Sequence, residues 1–282
     1  MKWIRKAVLL WLSMSLPLFA AGFRYAKIEY PGAFWTRPMG LNAQGDIVGL
    51  WVSTSGAING FLRHEGKFQS IAFPAASATF TRGINPAGEM VGVYYDSNSN
   101  THGYLLSHGR FTQIDFPGAA DTDAFEINSA GQIGGSYTDS TQVLHGFLLN
   151  RTTGAFKTID VPEAISTEAY GLNDLGEMVG LYFDAVGNGH GFLLHGGQFS
   201  KVDVPDATFT RSRAINDRGD IVGSYLDASG AGHAYLLTDG TFITLDFPGG
   251  TDTRATGINN RRLIVGHYVD SDGNLHGFAA SR

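Results

Sequence analysis

The chain repeats itself at a nearly constant interval. An apolar residue followed by asparagine occurs at Leu41-Asn42, Ile84-Asn85, Ile127-Asn128, Leu172-Asn173, Ile215-Asn216 and Ile258-Asn259, with asparagine spacings of 43, 43, 45, 43 and 43. A second marker, an apolar-x-apolar-Pro tetrad, ends at Pro31, Pro74, Pro117, Pro162, Pro205 and Pro248, with the same spacings. A period of this length restricts the chain to units that stack on one another in a line or a ring.

One repeat, Phe80 to Pro117, reads as four strands. The first ends at Ile84-Asn85, and Asn85-Pro86-Ala87-Gly88 makes a tight turn. Glu89 to Tyr95 forms the second, rich in Val and Tyr. A polar loop, Asp96 to Thr101, leads to the third at Gly103 to Leu106. His108-Gly109 turns the chain into the fourth, Arg110 to Phe116. No stretch beyond residue 21 sustains a helical period. Four antiparallel strands in about 43 residues make a propeller blade. The last repeat, Gly257 to Arg282, holds only three strands, and Phe23 to Pro31 supplies a lone fourth. The expected fold is therefore all-β: a six-bladed β-propeller whose last blade is closed by the N- and C-terminal strands. A linear array is the rival, but the split blade favours a ring, which removes exposed edges. Residues 22–282 then form a single domain.

Composition agrees with a turn-rich, core-forming chain: 38 Gly, 9 Pro and 43% hydrophobic residues in 282. There is no Cys, which excludes disulfides, thiolate metal sites and a Cys nucleophile. Residues 1–21 read as a signal peptide, with Lys2, Arg5 and Lys6 before an apolar stretch from Ala7 to Leu18 and small residues Ala20, Ala21 and Gly22 at the exit. The rival is an N-terminal membrane anchor. Without Lys2, Arg5 and Lys6, 17 basic face 26 acidic side chains, a net of −9. With no basic run, nucleic acid is disfavoured as a partner. The expectation is a secreted monomer, extracellular or periplasmic, with no membrane span after signal removal.

Residues present in every repeat are expected to build it. Gly49, Gly92, Gly135, Gly180, Gly223 and Gly266 recur inside the second strand, where glycine marks close approach. Gly45, Gly88, Gly131, Gly176 and Gly219 recur in the first turn, but the sixth repeat has Arg262. A turn needing positive φ would strain Arg262, so Arg262→Gly is expected to raise the melting temperature. Asp and His recur six residues apart: Asp96 and His102, Asp139 and His145, Asp184 and His190, Asp227 and His233, Asp270 and His276. The first repeat has Ser53 and Asn59, so both partners change together. This reads as a structural hydrogen bond, repeated too often for one catalytic centre; a metal or proton-transfer site is the alternative. No metal and no cofactor is expected.

The third strand opens with His-Gly-Phe or a variant: His102-Gly103-Tyr104, His145-Gly146-Phe147, His190-Gly191-Phe192, His233-Ala234-Tyr235 and His276-Gly277-Phe278, with Asn59-Gly60-Phe61 in the first repeat. With the apolar-Asn-x-x-Gly turn and the Val-Gly-x-Tyr strand, this resembles the HAF family of extracellular repeat proteins of bacteria, across residues 23 to 282. The resemblance implies secretion and a repeat architecture. It carries no catalytic motif, so no functional residue transfers from it.

Function is then sought where repeats differ. Five residues before each marker asparagine stand Arg37, Phe80, Asp123, Glu168, Arg211 and Arg254; three before stand Met39, Arg82, Phe125, Tyr170, Arg213 and Thr256. By propeller geometry these positions surround the channel mouth. Arg37, Arg82, Arg211, Arg213 and Arg254 form a basic arc, and Phe125 and Tyr170 lie in an aromatic, acidic one. Arginine grips carboxylate or sulfate and aromatics stack on sugar faces, so a polysaccharide or envelope component, or a protein partner, is the expected ligand of a non-enzymatic binding module. The alternative is a polysaccharide hydrolase or lyase using Asp123 and Glu168 as a carboxylate pair. A purely structural envelope protein is the third reading.

Overall fold

Second strands are buried along both faces, as in Met90–Tyr95, whereas outer strands such as Arg110–Ile114 alternate and stay largely exposed. That gradient is what a small sheet shows when its inner edge is packed between neighbours. The computed structural model describes residues 18–20 and 22–282, and every regular element in them is a β-strand. Residues 1–17 and 21, most of the expected leader, lie outside the described residues; Leu18–Ala20 pairs antiparallel with Phe23–Ile28.

Each repeat folds as consecutive antiparallel strands. The third runs Asp121–Ile127, Gln132–Thr138, Leu144–Asn150 and Ala155–Ile159; the fourth runs Ser166–Leu172, Met178–Phe183, Gly189–His195 and Gln198–Val202. The first and second repeats join through one parallel contact, Ile58 opposite Ala78, and the fifth and sixth through Gly232 opposite Asp252. Those joins merge otherwise four-stranded sets into an eight-stranded and a nine-stranded sheet. The sixth repeat, Asp252–Ile258, Ile264–Val269 and Leu275–Ser281, receives Phe23–Ile28 as its outer strand, in register from Arg24 opposite Ser281 to Ile28 opposite Gly277.

Packing is repeat-specific and periodic. The third-strand aromatics Phe61, Tyr104, Phe147, Phe192, Tyr235 and Phe278 are fully buried. Each leans on the second-strand glycine: a Cβ on Gly135 would collide with the Asp123 carbonyl oxygen and the Phe147 ring. Between repeats, Phe73 stacks on Tyr94 at 3.7 Å, Phe116 on Tyr137 at 3.6 Å and Phe247 on Tyr268 at 3.7 Å. Tyr30, from the N-terminal segment, stacks on Trp51 of the first repeat at 4.2 Å. Buried Thr36, Thr79, Thr122, Thr167, Thr210 and Thr253 each accept a hydrogen bond from the backbone six residues back, in the preceding repeat's exit.

The marker asparagines close a ring. The Nδ2 of Asn42 donates to the carbonyl of Asn85, Asn85 to Asn128, Asn128 to Asn173, Asn173 to Asn216, Asn216 to Asn259, and Asn259 back to Asn42, at 3.0–3.5 Å. The same side chains accept from their own turns, as Asn128 Oδ1 does from the Gln132 amide. Asn128→Ala removes one of the two donors to the buried Asn173 carbonyl, leaving the Gly176 amide, and takes the side-chain acceptor from the Gln132 amide. It is expected to lower unfolding free energy by about 1–3 kcal/mol in chemical denaturation.

Arg262 does adopt positive φ, +58°. The expected gain from Arg262→Gly is nevertheless reversed. Arg262 donates through Nε and Nη2 to both carboxylate oxygens of Asp220 in the fifth repeat, at 2.8 and 2.9 Å. Asp220 is only 2% exposed. Burial acts to raise its pKa, but bonds from Arg262, Thr238 and Asn216 outweigh this and hold it at about 2. Removing the guanidinium leaves a buried carboxylate short of its cation, which outweighs backbone strain of about 1 kcal/mol. Arg262→Gly is expected to lower the melting temperature, and adding Asp220→Asn to recover part of the loss.

Candidate functional site

Each inner strand carries a β-bulge at the same point, with a second in the first repeat between Ala33 and Trp35, and the residue bulged at the shared point is the variable one. The register breaks between Pro38 and Gly40, Thr81 and Gly83, Ala124 and Glu126, Ala169 and Gly171, Ser212 and Ala214, and Ala255 and Gly257. The skipped residues are Met39, Arg82, Phe125, Tyr170, Arg213 and Thr256. A bulge re-aims a side chain and is over-represented beside functional sites.

These side chains meet across repeats. Phe125 and Tyr170 pack edge to face at 5.0 Å. The Arg213 guanidinium lies 4.2 Å from the Tyr170 ring centre and 5.6 Å from that of Phe125, two repeats away. Arg82 sits 4.8 Å from the Phe125 ring and Arg211 5.6 Å from that of Tyr170. Phe125 and Tyr170 are each 5% exposed, so their faces are taken by guanidinium groups rather than open to a sugar. The stacking role expected for them is corrected accordingly: they support the arginines.

The arginines crowd one another. Burial first, then Arg213, Arg82, Arg254 and Arg211, push Arg37 down to about 9. Burial also lowers Arg213 to about 10, with Arg82 and Arg211 adding to the effect. Arg254 is paired to Asp252 at 2.9 Å. Among the described residues no ion pair reaches Arg37, Arg82, Arg211 or Arg213. Asp123 is raised by burial and by Glu168, with Arg82 and Arg213 opposing, so the two candidate catalytic carboxylates share one electrostatic neighbourhood. A cavity of about 220 Å³ opens beside Arg211 and Arg254, lined also by Phe209, Ser224 and Tyr225. Another, about 180 Å³, is lined by Asp121, Asp123 and Ser136.

Two residues outside the predicted set belong here. His267, opposite Arg254 in the register, is 5% exposed and its Nδ1 has no partner. Burial holds its pKa well below the usual imidazole range, and Arg37 and Arg254 add to this. Its position holds Leu50, Val93, Ser136, Leu181 and Ser224 elsewhere, a signal that was legible in the repeats. Glu126 occupies a position that is Gly40, Gly83, Gly171, Ala214 or Gly257 in other repeats. Its Oε1 lies where a Cβ on Gly83 would fall, and accepts from the Ile127 amide at 3.1 Å. It lines the opening at the asparagine ring.

The Asp–His pairs are set apart from this cluster. His102, His145, His190, His233 and His276 approach their predicted Asp at 3.8, 3.5, 3.3, 3.4 and 2.9 Å through Nε2. Through Nδ1 each also meets a carboxylate from the outer strand's end: Asp115, Asp160, Asp203, Asp246 and Glu29. That second partner sits two residues before the marker proline. The first repeat has Ala72 there and Asn59 for histidine, so the whole set is lost together. Each imidazole stacks near a second-strand tyrosine, as His145 does on Tyr137 at 5.0 Å. The arrangement ties three strands of a repeat together at its rim.

No protein-family model matches the chain, and no curated protein matches it. Solved structures do. TolB from Acinetobacter baumannii is similar with a TM-score of 0.60 at 14% identity, over 89% of this chain and 65% of that one. The SapL1 lectin in complex with alpha methyl fucoside follows with 0.56 at 8% identity, over 84% and 88%. An arginine-to-alanine triple mutant of AofleA from Arthrobotrys oligospora gives 0.50 at 11%, over 91% and 83%. At these identities the likeness is one of fold, an all-β propeller arrangement.

Burial pushes the Glu126 carboxyl up to about 8; the Ile127 amide and Arg213 oppose this and Asp174 adds to it. A raised folded pKa means stability present below the unfolded value near 4.5 is lost as pH rises through about 8. Glu126→Gln keeps the acceptor for Ile127 and cannot ionise. Its melting temperature is expected to match wild type near pH 5 and to exceed it by a growing margin toward about pH 8.5.

Proposed function

We propose that this chain is a secreted, HAF-type, six-bladed β-propeller whose last blade joins the two termini, and that it binds a polysaccharide or envelope glycan at the channel mouth without chemical conversion. One observation carries the binding reading: Arg37, Arg82, Arg211 and Arg213 stand close enough to act on one another, with no ion pair among the described residues. Crowded cations without counter-ions repel one another, a cost to the scaffold that the ring contacts only partly offset. A ligand that accepts their hydrogen bonds relieves the crowding. A lectin among the structures of like fold is consistent with a sugar, and the sequence of residues 1–21 supports export.

A panel of neutral and acidic polysaccharides, read for both retention and cleavage, tests the proposal. Retention without products is expected. Arg211→Ala is expected to weaken retention about tenfold or more while leaving the melting temperature intact, since a charge-assisted hydrogen bond is worth about 1.5–3 kcal/mol. A hydrolase is the second reading, favoured by the raised Asp123 beside Glu168. It requires products that Glu168→Gln abolishes.

A further inference from the structure

We propose that the arginine end of the channel is a preformed oxyanion site, made by Arg37, Arg82, Arg211 and His267, that takes the carboxylate or sulfate group of an acidic saccharide. The sugar part rests on the reading above; the anion site rests on the side chains themselves.

Seven buried side-chain polar atoms lack a partner among the described residues, and four belong to this one cluster: Nε of Arg37, Arg82 and Arg211, and Nδ1 of His267. A buried donor left unpaired costs about 1–3 kcal/mol, and such groups are rare. Three guanidinium Nε–H groups therefore mark a missing acceptor, and the neutral His267 adds an Nδ1–H in the tautomer that carries its proton there. The charge has the same sign as the deficit. Arg37 feels Arg82, Arg211, Arg213 and Arg254 together, and burial weakens the ionised forms of Asp123 and Glu126 that would offset them.

The fold does not require these residues. The positions of Arg37 and Arg211 are Phe80 in the second repeat, and that of Arg82 is Met39 or Thr256 elsewhere. Every such repeat keeps its strand pairing, so an arginine there serves something other than the sheet. Guanidinium offers a planar fork that matches a carboxylate or sulfate edge. The cavity beside Arg211, lined also by Arg254 and Ser224, has room for a small polar group. The chain's net charge of −6 repels a long polyanion, whereas a single acidic group in a basic well avoids that surface.

Thermal shift and calorimetry with sodium sulfate, D-glucuronate and D-glucose test this, each against chloride at matched ionic strength. Sulfate and glucuronate are expected to raise the melting temperature, and glucose to leave it unchanged. Arg37→Met is expected to melt higher than wild type without anion, because a crowded cation is gone, and to bind sulfate at least tenfold more weakly. Arg211→Met gives a second reading if either variant folds poorly, and Arg110→Ala, on an exposed outer strand, keeps the full response. No shift with sulfate or glucuronate, or an undiminished response in both Met variants, overturns the oxyanion site. Neutral glycans retained without an anion response would do so while leaving the saccharide reading standing. An anion response with no glycan retained would sustain the site and remove the sugar.

Discussion

Six asparagine amides, each donating to the next repeat's backbone, hold the inner ends of the strands in one ring. Each side chain also caps its own turn, so turn geometry and ring closure depend on the same residue. The last bond, Asn259 to Asn42, spans the chain from end to end and makes termini neighbours. That contact and the pairing of Phe23–Ile28 with Leu275–Ser281 bring the ends of the sequence into one sheet. Non-local closure of this kind gives the last repeat its fourth strand, so Leu275–Ser281 is not left as an exposed edge.

With the asparagine ring fixing one end of each inner strand, the bulge upstream becomes a free variable. The bulge exists in every repeat, so its backbone cost is borne by the scaffold. What varies is the side chain that it presents. Three repeats place Arg82, Phe125 and Tyr170 there and a fourth places Arg213, and together they build a lattice of guanidinium and ring that no single repeat encodes. Aromatic packing and cation–π contact, each about 0.5–2 kcal/mol, help to hold positive charge in a place where water alone would have to solvate it.

Much of this was legible from residues that recur. Asn, the turn Gly, the second-strand Gly and the proline tetrad mark the same points in each repeat, and the strand assignments drawn from them coincide with the observed elements to within a few residues. What did not show was anything depending on a partner from another repeat. Arg262 looked like a strained substitution because its turn is local; Asp220, 42 residues away, is what it serves. The histidines had a visible Asp six residues back, but for His102, His145, His190 and His233 the nearer partner comes from the outer strand's end. The side chains of Phe125 and Tyr170 read as open faces because a sequence cannot show that arginines cover them.

Glu126 shows how the same logic limits the site. At its position the other repeats use Gly or Ala, because the backbones of neighbouring repeats touch there. A carboxyl at that position has little water and one nearby cation, Arg213, which is itself shared with Tyr170 and Phe125. Its proton therefore stays on at neutral pH, and the acid closes the gap as a neutral hydrogen-bonding group instead of a counter-ion. The arginines above it keep their excess charge for that reason. Burial of Asp123 acts in the same direction, so neither carboxyl offers Arg213 a full counter-charge, and its contacts are with the Tyr170 and Phe125 rings.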